Sequence, residues 1–168
     1  MNRRGFTVVE LIITITVMGI LLVLTVVNLS GSQAAARDTE REGDISTIQT
    51  WLENYYTTGS PVTGNPGNYP VATVADSPNL AQNFPDADLK AFTAPGASDV
   101  YASFKKAANA TQTTSGVSPA PTISTYVYQP INSSGGLCSN SLDCRKYNLY
   151  YKLEGSGSPI KMVTSKNQ

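Results

Sequence analysis

Residues 3–11 read Arg-Arg-Gly-Phe-Thr-Val-Val-Glu-Leu, and a largely apolar run continues from there to Leu29. Residues 11–27 contain no charged side chain and no proline. A helix from Phe6 to Leu29 would be about 36 Å long at a rise of about 1.5 Å per residue, enough to cross the ~30 Å hydrocarbon core of a bilayer. The stretch therefore predicts a membrane-spanning helix close to the first methionine.

Glu10 is the one charged residue between Phe6 and Leu29. A carboxylate at the centre of a bilayer costs about 2.5–3.5 kcal/mol, so this group needs either a cationic partner or a position at the membrane surface. Arg3 and Arg4 precede the segment. The positive-inside rule keeps such an N-terminus in the cytoplasm and places residues 31–168 outside.

Two simpler interpretations of this segment stay open. A cleaved secretory signal peptide would use the small residues at 34–36, but its apolar region is usually about 7–15 residues long and carries no acid. A plain single-span anchor accounts for the length and orientation of the segment, but it leaves Glu10 without a purpose.

The order of these residues resembles the class III signal peptide of type IV pilins and pseudopilins. That signal has a short basic leader ending in Gly, then Phe, an acid four residues later and a hydrophobic helix. Gly5, Phe6 and Glu10 match these three positions here. The resemblance implies that residues 1–5 are a leader peptide, which a prepilin peptidase removes between Gly5 and Phe6 before it methylates the new N-terminus of Phe6.

The resemblance also implies a role for Glu10 in filament assembly, as the partner of the Phe6 ammonium of a neighbouring subunit. The physics agrees that Glu10 needs a cation, because cleavage creates an ammonium on Phe6 and a carboxylate in an apolar bundle needs an opposite charge. That ammonium is either its own, one helical turn away, or that of a neighbour in the bundle. The alternative is that Glu10 lies at the lipid interface. Many pilins carry a proline in the second half of this helix, whereas residues 6–60 contain none here.

The helix is predicted to have a membrane or filament-core part, 6–30, and a continuation over 31–58. In the continuation, apolar side chains recur every three or four residues and should pack on a sheet: Ile45, Ile48, Leu52 and Tyr55. Gly59 and Pro61 end it. The charged stretch before this stripe predicts the ion pairs Asp38–Arg41 and Arg37–Glu40 on a face that either meets solvent or contacts another subunit.

The region from 59 to 121 is predicted to be a variable, loop-rich connection with short helices. Ser77–Asn83 and Asp86–Phe92 are two candidates. A third would run from an N-cap at Asp99 to Asn109 and bury Val100, Phe104 and Ala108.

The last part, 122–168, is predicted to be the sheet. Thr122–Gln129 and Lys146–Glu154 alternate as strands of a hairpin, and Pro159–Thr164 adds a third strand. Cys138 and Cys144 lie in the hairpin loop, where a disulfide is the default in an exported chain and two free thiols are the alternative. We therefore expect an α+β, type IV pilin-like fold, with the long helix packed on a small antiparallel sheet of three to four strands within a globular domain over 31–168.

The composition argues against catalysis. The chain has 168 residues, no histidine and 12 acidic against 12 basic side chains. We predict no enzyme, no cofactor, no metal and no clear nucleic-acid site; Asp143 is one carboxylate near the cysteines, too few for calcium. The tyrosines of the predicted strands are compatible with an aromatic surface or with core packing.

The resemblance implies a structural subunit of a type IV pilus-like filament that serves adhesion, twitching motility or DNA uptake. Its partners would be other subunits, the membrane before assembly, the prepilin peptidase and, indirectly, the assembly platform and its ATPases. It would begin in the cytoplasmic membrane and end in an extracellular filament. The alternatives are a pseudopilin of a type II secretion system and an anchored binding domain that never polymerises.

Overall fold

The computed structural model describes residues 5–62, 66–76, 78–138, 143–155, 157 and 159–167, and it leaves the side chains of 26–30 outside the description. Within these residues, one helix of 51 residues, α1 (Val8–Thr58), precedes a series of short helices and a four-stranded sheet. The chain divides into two compact units, Met1–Ala36 and Arg37–Gln168. Each unit is described by itself.

The first unit is the apolar part of α1. By length and composition, Val8–Thr25 is able to span a membrane, with a mean hydropathy of 2.5 and none of its residues buried in the chain. Its three threonines return their hydroxyls to carbonyls of the preceding turn, as in Thr14 Oγ1 to the Leu11 carbonyl at 2.8 Å. Such bonds keep the hydroxyls satisfied in an apolar setting.

In the second unit, the predicted apolar stripe of α1 packs against the core of the domain. Ile45, Ile48 and Leu52 are buried, and Tyr55 packs against the same core. The helix ends at Thr58. Gly59 then takes a positive φ of 84° and donates its amide to the Tyr55 carbonyl at 2.8 Å, a glycine C-cap that confirms the predicted stop.

Four short helical segments connect α1 to the sheet within the described residues: a 3₁₀ turn at Ala72–Ala75, α2 (Asn79–Asn83), a 3₁₀ turn at Leu89–Phe92 and α3 (Val100–Ser103). The sequence predicted α2 and the Leu89–Phe92 turn, although Ser77 lies outside the described residues. It missed Ala72–Ala75. Asp88 caps the second turn by accepting from the Lys90 amide at 2.9 Å.

The helix predicted from Asp99 to Asn109 is wrong in length. Asp99 does cap α3, accepting from the Ala102 amide at 2.9 Å, but α3 ends at Ser103. Phe104 turns to an extended conformation, and β1 (Phe104–Lys106) begins there. Pairing with a strand more than 20 residues away outweighs local helix propensity here. Phe104 is buried, as predicted, whereas Ala108 is exposed.

The sheet has the order β1, β2 (Tyr126–Asn132), β3 (Cys144–Lys152) and β4 (Ile160–Thr164). β2 and β3 form the predicted hairpin, and β4 is the predicted third strand, antiparallel to β3. β1 runs parallel to β2. The sheet is therefore mixed rather than wholly antiparallel.

β2 is shifted along the chain from its predicted position at Thr122–Gln129. Thr122 and Thr125 close a turn instead, with the Thr122 amide donating to Thr125 Oγ1 at 2.8 Å, and such local side-chain bonds compete with strand pairing. The strand also continues through Pro130. β1 pairs with β2 only over Tyr126–Tyr128, so the missing amide of Pro130 faces no β1 partner.

The strand tyrosines belong to the core. On the face toward α1, aromatic rings pack in a continuous series, with neighbouring ring centroids 4.7 to 6.5 Å apart. The rings are those of Trp51, Tyr55, Tyr56, Tyr69, Phe84, Phe92, Phe104, Tyr128 and Tyr147. On the other face, Ala107 and Val117 cover Val127 and Tyr150. Both faces of β2 are thus buried, and the strand tyrosines form no exposed aromatic surface.

Candidate functional site

The first turn of α1 contains the predicted assembly residue, Glu10. The Thr7 amide and hydroxyl both donate to Glu10 Oε2, at 3.2 and 3.1 Å, and the Glu10 amide donates to Thr7 Oγ1 at 3.2 Å. This reciprocal arrangement is a capping box, with Thr7 before the helix and an acid three residues later. This capping box was not predicted, although Thr-x-x-Glu before an apolar run is its sequence signal.

The apolar residues around this cap are largely exposed in the described part of the chain. Phe6 is 85% exposed, and Val8 and Val9 are 75% and 65% exposed. Gly5 is exposed, and a Cβ built on it would meet no described atom within 4 Å. Arg3 and Arg4 lie outside the described residues.

A shallow apolar notch lies further along the same segment. Its floor is Gly19, where an added Cβ would meet nothing within 4 Å, and Ile15, Ile20 and Val23 are among its walls. Small residues at such positions let the backbones of two membrane helices approach closely. Thr16 is the one residue of its described lining with a polar side chain.

At the start of the second unit, a charged cluster ties α1 to the end of β3. Arg37 Nε donates to Glu154 Oε2 at 2.7 Å. Arg41, whose side chain is 1% exposed, binds Asp38 Oδ1 and the Ile123 carbonyl, both at 2.8 Å. The predicted Asp38–Arg41 pair is present, but Arg37 pairs with Glu154 and not with Glu40.

The charges in this cluster stabilise one another. The hydrogen bond from Arg37 holds the pKa of the Glu154 carboxyl below its ordinary value, and the same bond raises the pKa of Arg37. Asp38 also accepts the backbone amide of Glu154 at 2.7 Å. No short-range sequence pattern links residues this far apart, so the cluster was not predictable.

Asp44 is the acid with the most perturbed titration among the described groups. Burial raises its pKa to about 6, although a hydrogen bond from the Tyr126 hydroxyl at 2.8 Å works in the opposite direction. Asp44 lies on α1 and Tyr126 begins β2, so this contact also joins helix to sheet.

The two cysteines lie at bonding distance, with their Cα atoms 5.6 Å apart. Their carbonyls accept the amides of Tyr69 and Ala72 at 2.8 and 2.9 Å, which fastens the segment after α1 to the hairpin. Asp143 binds Arg145 and Ser133, and its bond from Ser133 lowers its pKa. Among the described residues, no group of three or more His, Cys, Asp or Glu side chains is placed to hold a metal.

Comparison with known proteins finds a family at the N-terminus. Residues 1–26 match the family model of the prokaryotic N-terminal methylation motif. No curated protein and no solved structure gives a significant match. The structure adds a long N-terminal apolar helix and a four-stranded mixed sheet. Residues 1–26 therefore carry the prokaryotic N-terminal methylation motif, the class III signal peptide of type IV pilins, and the α+β fold that follows is consistent with a pilin-like one.

Proposed function

We propose that this protein is a structural subunit of a type IV pilus-like filament. The observation that carries the proposal is the methylation motif together with the apolar segment behind it: none of Val8–Thr25 is buried within the part of the chain that the structure describes. Apolar surface of this extent is stable only in lipid or against other apolar helices. A subunit that waits in a membrane and then joins a helical bundle meets both conditions in turn.

The first step is processing by the prepilin peptidase, which we place at the exposed Gly5–Phe6 bond. Hydrolysis releases residues 1–5 and leaves an ammonium on Phe6, which the same enzyme then methylates. Methylation of an amine keeps its positive charge, so the new N-terminus remains able to pair with a carboxylate.

Glu10 would supply that carboxylate. Its Oε2 is held by Thr7, whereas its Oε1 accepts no hydrogen bond from the part of the chain that the structure describes. The capping box therefore fixes the carboxyl group and leaves one oxygen for the Phe6 ammonium of a neighbouring subunit. In an apolar bundle, any register that leaves one of these charges unpaired is destabilised. The ion pair therefore favours one axial position of the subunit relative to its neighbour.

The domain over Arg37–Gln168 would form the outer layer of such a filament, exposed outside the cell. Its uses would be adhesion, twitching motility or DNA uptake, with the force supplied by separate ATPases through the assembly platform.

The mass of the N-terminal peptide and of the intact chain, isolated from the native cell envelope, tests the proposal. We expect a chain that begins at methylated Phe6, with two hydrogens fewer than the reduced form for a Cys138–Cys144 disulfide. The sample should come from sheared surface filaments as well as from membranes. A chain that keeps its leader, or one that begins near Arg37, would contradict the proposal.

A further inference from the structure

Two adjoining pockets lie between the last turns of α1 and the segment that follows it, all within the second unit. The first has a volume of about 250 Å³ and the second about 260 Å³. Tyr55, Ser60 and Asn83 line both of them. These three are bonded together, since Ser60 Oγ and the Tyr55 hydroxyl donate to Asn83 Oδ1 at 3.1 and 3.4 Å.

The first pocket has an uncharged wall in which polar groups lie among apolar ones. Its described lining residues include no acid and no base. Four side-chain amides and several hydroxyls supply its polar groups, the amides being Asn68, Asn79, Gln82 and Asn83. Because an amide both donates and accepts, such a wall matches a ligand whose groups also do both, as hydroxyls do. A charged ligand would be buried here without an opposite charge.

Two of these amides have unused hydrogen-bonding capacity. Asn68 Oδ1 is buried and has no hydrogen-bond partner among the residues that the structure describes. Gln82 is exposed at the rim, and its side chain makes no hydrogen bond to the residues that the structure describes. An unpaired buried acceptor lowers stability, and a donor brought by a ligand would remove that cost. Asn79 and Asn83, in contrast, hold the wall in place through bonds to carbonyls at 2.9 Å.

The size and the aromatic lining of the pockets narrow the class of ligand further. Pockets that bury drug-sized molecules measure about 300–1,000 Å³, so a pocket slightly below that range suits one sugar ring. The second pocket offers the half-buried ring of Trp51 beside Tyr55. The negative face of an aromatic ring attracts the positive C–H edges of a sugar. Two pockets that share a wall therefore match two linked rings.

We propose that these two pockets are a binding site for a neutral oligosaccharide. One ring enters the amide pocket at Asn68 and Gln82, and the next lies against Trp51. The site belongs to a single subunit, so the proposal does not depend on whether the chain forms filaments.

Trp51 is the single tryptophan of the chain, which makes its fluorescence a reporter placed in the second pocket. The experiment titrates the full chain with lactose, cellobiose and diacetylchitobiose, in a detergent without a sugar headgroup. We expect a saturable change with at least one disaccharide, with a Kd on the order of 1 mM. The matching monosaccharide should bind at least about tenfold more weakly, a loss of ~1.4 kcal/mol. No saturable change with any of the three at ~100 mM, one hundred times that Kd, would overturn the proposal.

Variants then assign the binding to this site. Asn68→Leu should weaken binding at least about tenfold while the Tm stays constant or rises, because the unpaired oxygen is removed. Gln82→Ala should weaken binding without a change in Tm. Gln112→Ala, the same change at an exposed loop position outside both pockets, is the matched control. Equal affinities for Gln82→Ala and Gln112→Ala would overturn the proposal even if Asn68→Leu failed to fold.

Discussion

Thr7 and Glu10 cap the first turn of α1 through each other: each donates its backbone amide to the other's side-chain oxygen at 3.2 Å. Glu10 therefore has two separable properties, a hydrogen-bonding shape that starts the helix and a negative charge. Glutamine at this position preserves the first property and removes the second. The two roles can be told apart by substitution.

Arg41 should be a main stabilising residue of the second unit. It is 1% exposed and binds Asp38 and the Ile123 carbonyl, so Arg41→Ala takes this donor from the Ile123 carbonyl and removes the cation that pairs with Asp38. We expect a loss of about 2–4 kcal/mol in the free energy of unfolding. Urea denaturation of the full chain in detergent, followed by near-ultraviolet circular dichroism, measures it.

Arg145→Ala is the matched control for Arg41. Arg145 pairs with Asp143, but its side chain is 52% exposed, so its removal should cost less than about 1 kcal/mol. Equal losses for the two variants would show that burial of Arg41 contributes nothing.

Asp44 should make the domain less stable as the pH rises from 4 to 7. Burial raises its pKa from 3.8 to about 6, with Glu40 adding to the rise and Tyr126, Lys90 and Arg41 opposing it. Between these values the folded state binds more protons than the unfolded state. The stabilising contribution is thus complete below about pH 4 and is lost as the pH passes 6.

Asp44→Asn tests this dependence, because asparagine still accepts from Tyr126 and does not titrate. We expect the variant to gain about 1 kcal/mol over the wild type at pH 7, discounted because Asp44 is only half-buried, and little at pH 4. The difference between the two proteins cancels the opposite effect of Glu154 and Asp143, whose pKa values are lowered. A difference that stays constant across this pH range would refute the prediction.

Glu53 should hold the C-terminal segment against the core. Its carboxylate accepts the hydroxyls of Tyr69 and Tyr147 at 2.8 and 3.0 Å, and also the Lys166 amide and the Asn167 side chain, both at 2.9 Å. Both tyrosines are buried, and burial raises the pKa of Tyr69 to about 12. Glu53→Ala leaves two buried hydroxyls without an acceptor, which should cost about 2–4 kcal/mol.

Hydrogen exchange at the amide of Lys166 reports the effect of Glu53→Ala locally. The control is Glu42→Ala, on the same helix as Glu53, which removes an exposed ion pair with Lys161 of β4. We expect the Lys166 amide to exchange faster in Glu53→Ala than in this control. Unchanged exchange at Lys166 in Glu53→Ala would mean that other contacts hold this segment.

The sequence predicts local features of this fold well and distant ones poorly. The long apolar run, the apolar stripe that follows it and the absence of proline predicted α1. Asp99 was correctly identified as the N-cap of α3. The length of α3 depended on β1, whose partner strand lies beyond a long loop. Arg41 lies in a charged stretch that suggests a solvent-exposed face. It is nevertheless buried, because it contacts Ile123 and Glu154, which are distant in the sequence. The amide pocket is equally a product of long-range packing.

Filament yield tests whether the charge of Glu10 drives assembly. Cells expressing the wild type, Glu10→Gln, Glu10→Ala and Thr7→Ala should be sheared, and filament protein compared with total protein in the membrane. The account predicts that Glu10→Gln and Glu10→Ala both accumulate in the membrane with few filaments, while Thr7→Ala, which keeps the charge and loses the cap, still assembles. Normal filaments from Glu10→Gln would contradict the account, because the cap alone would then be sufficient.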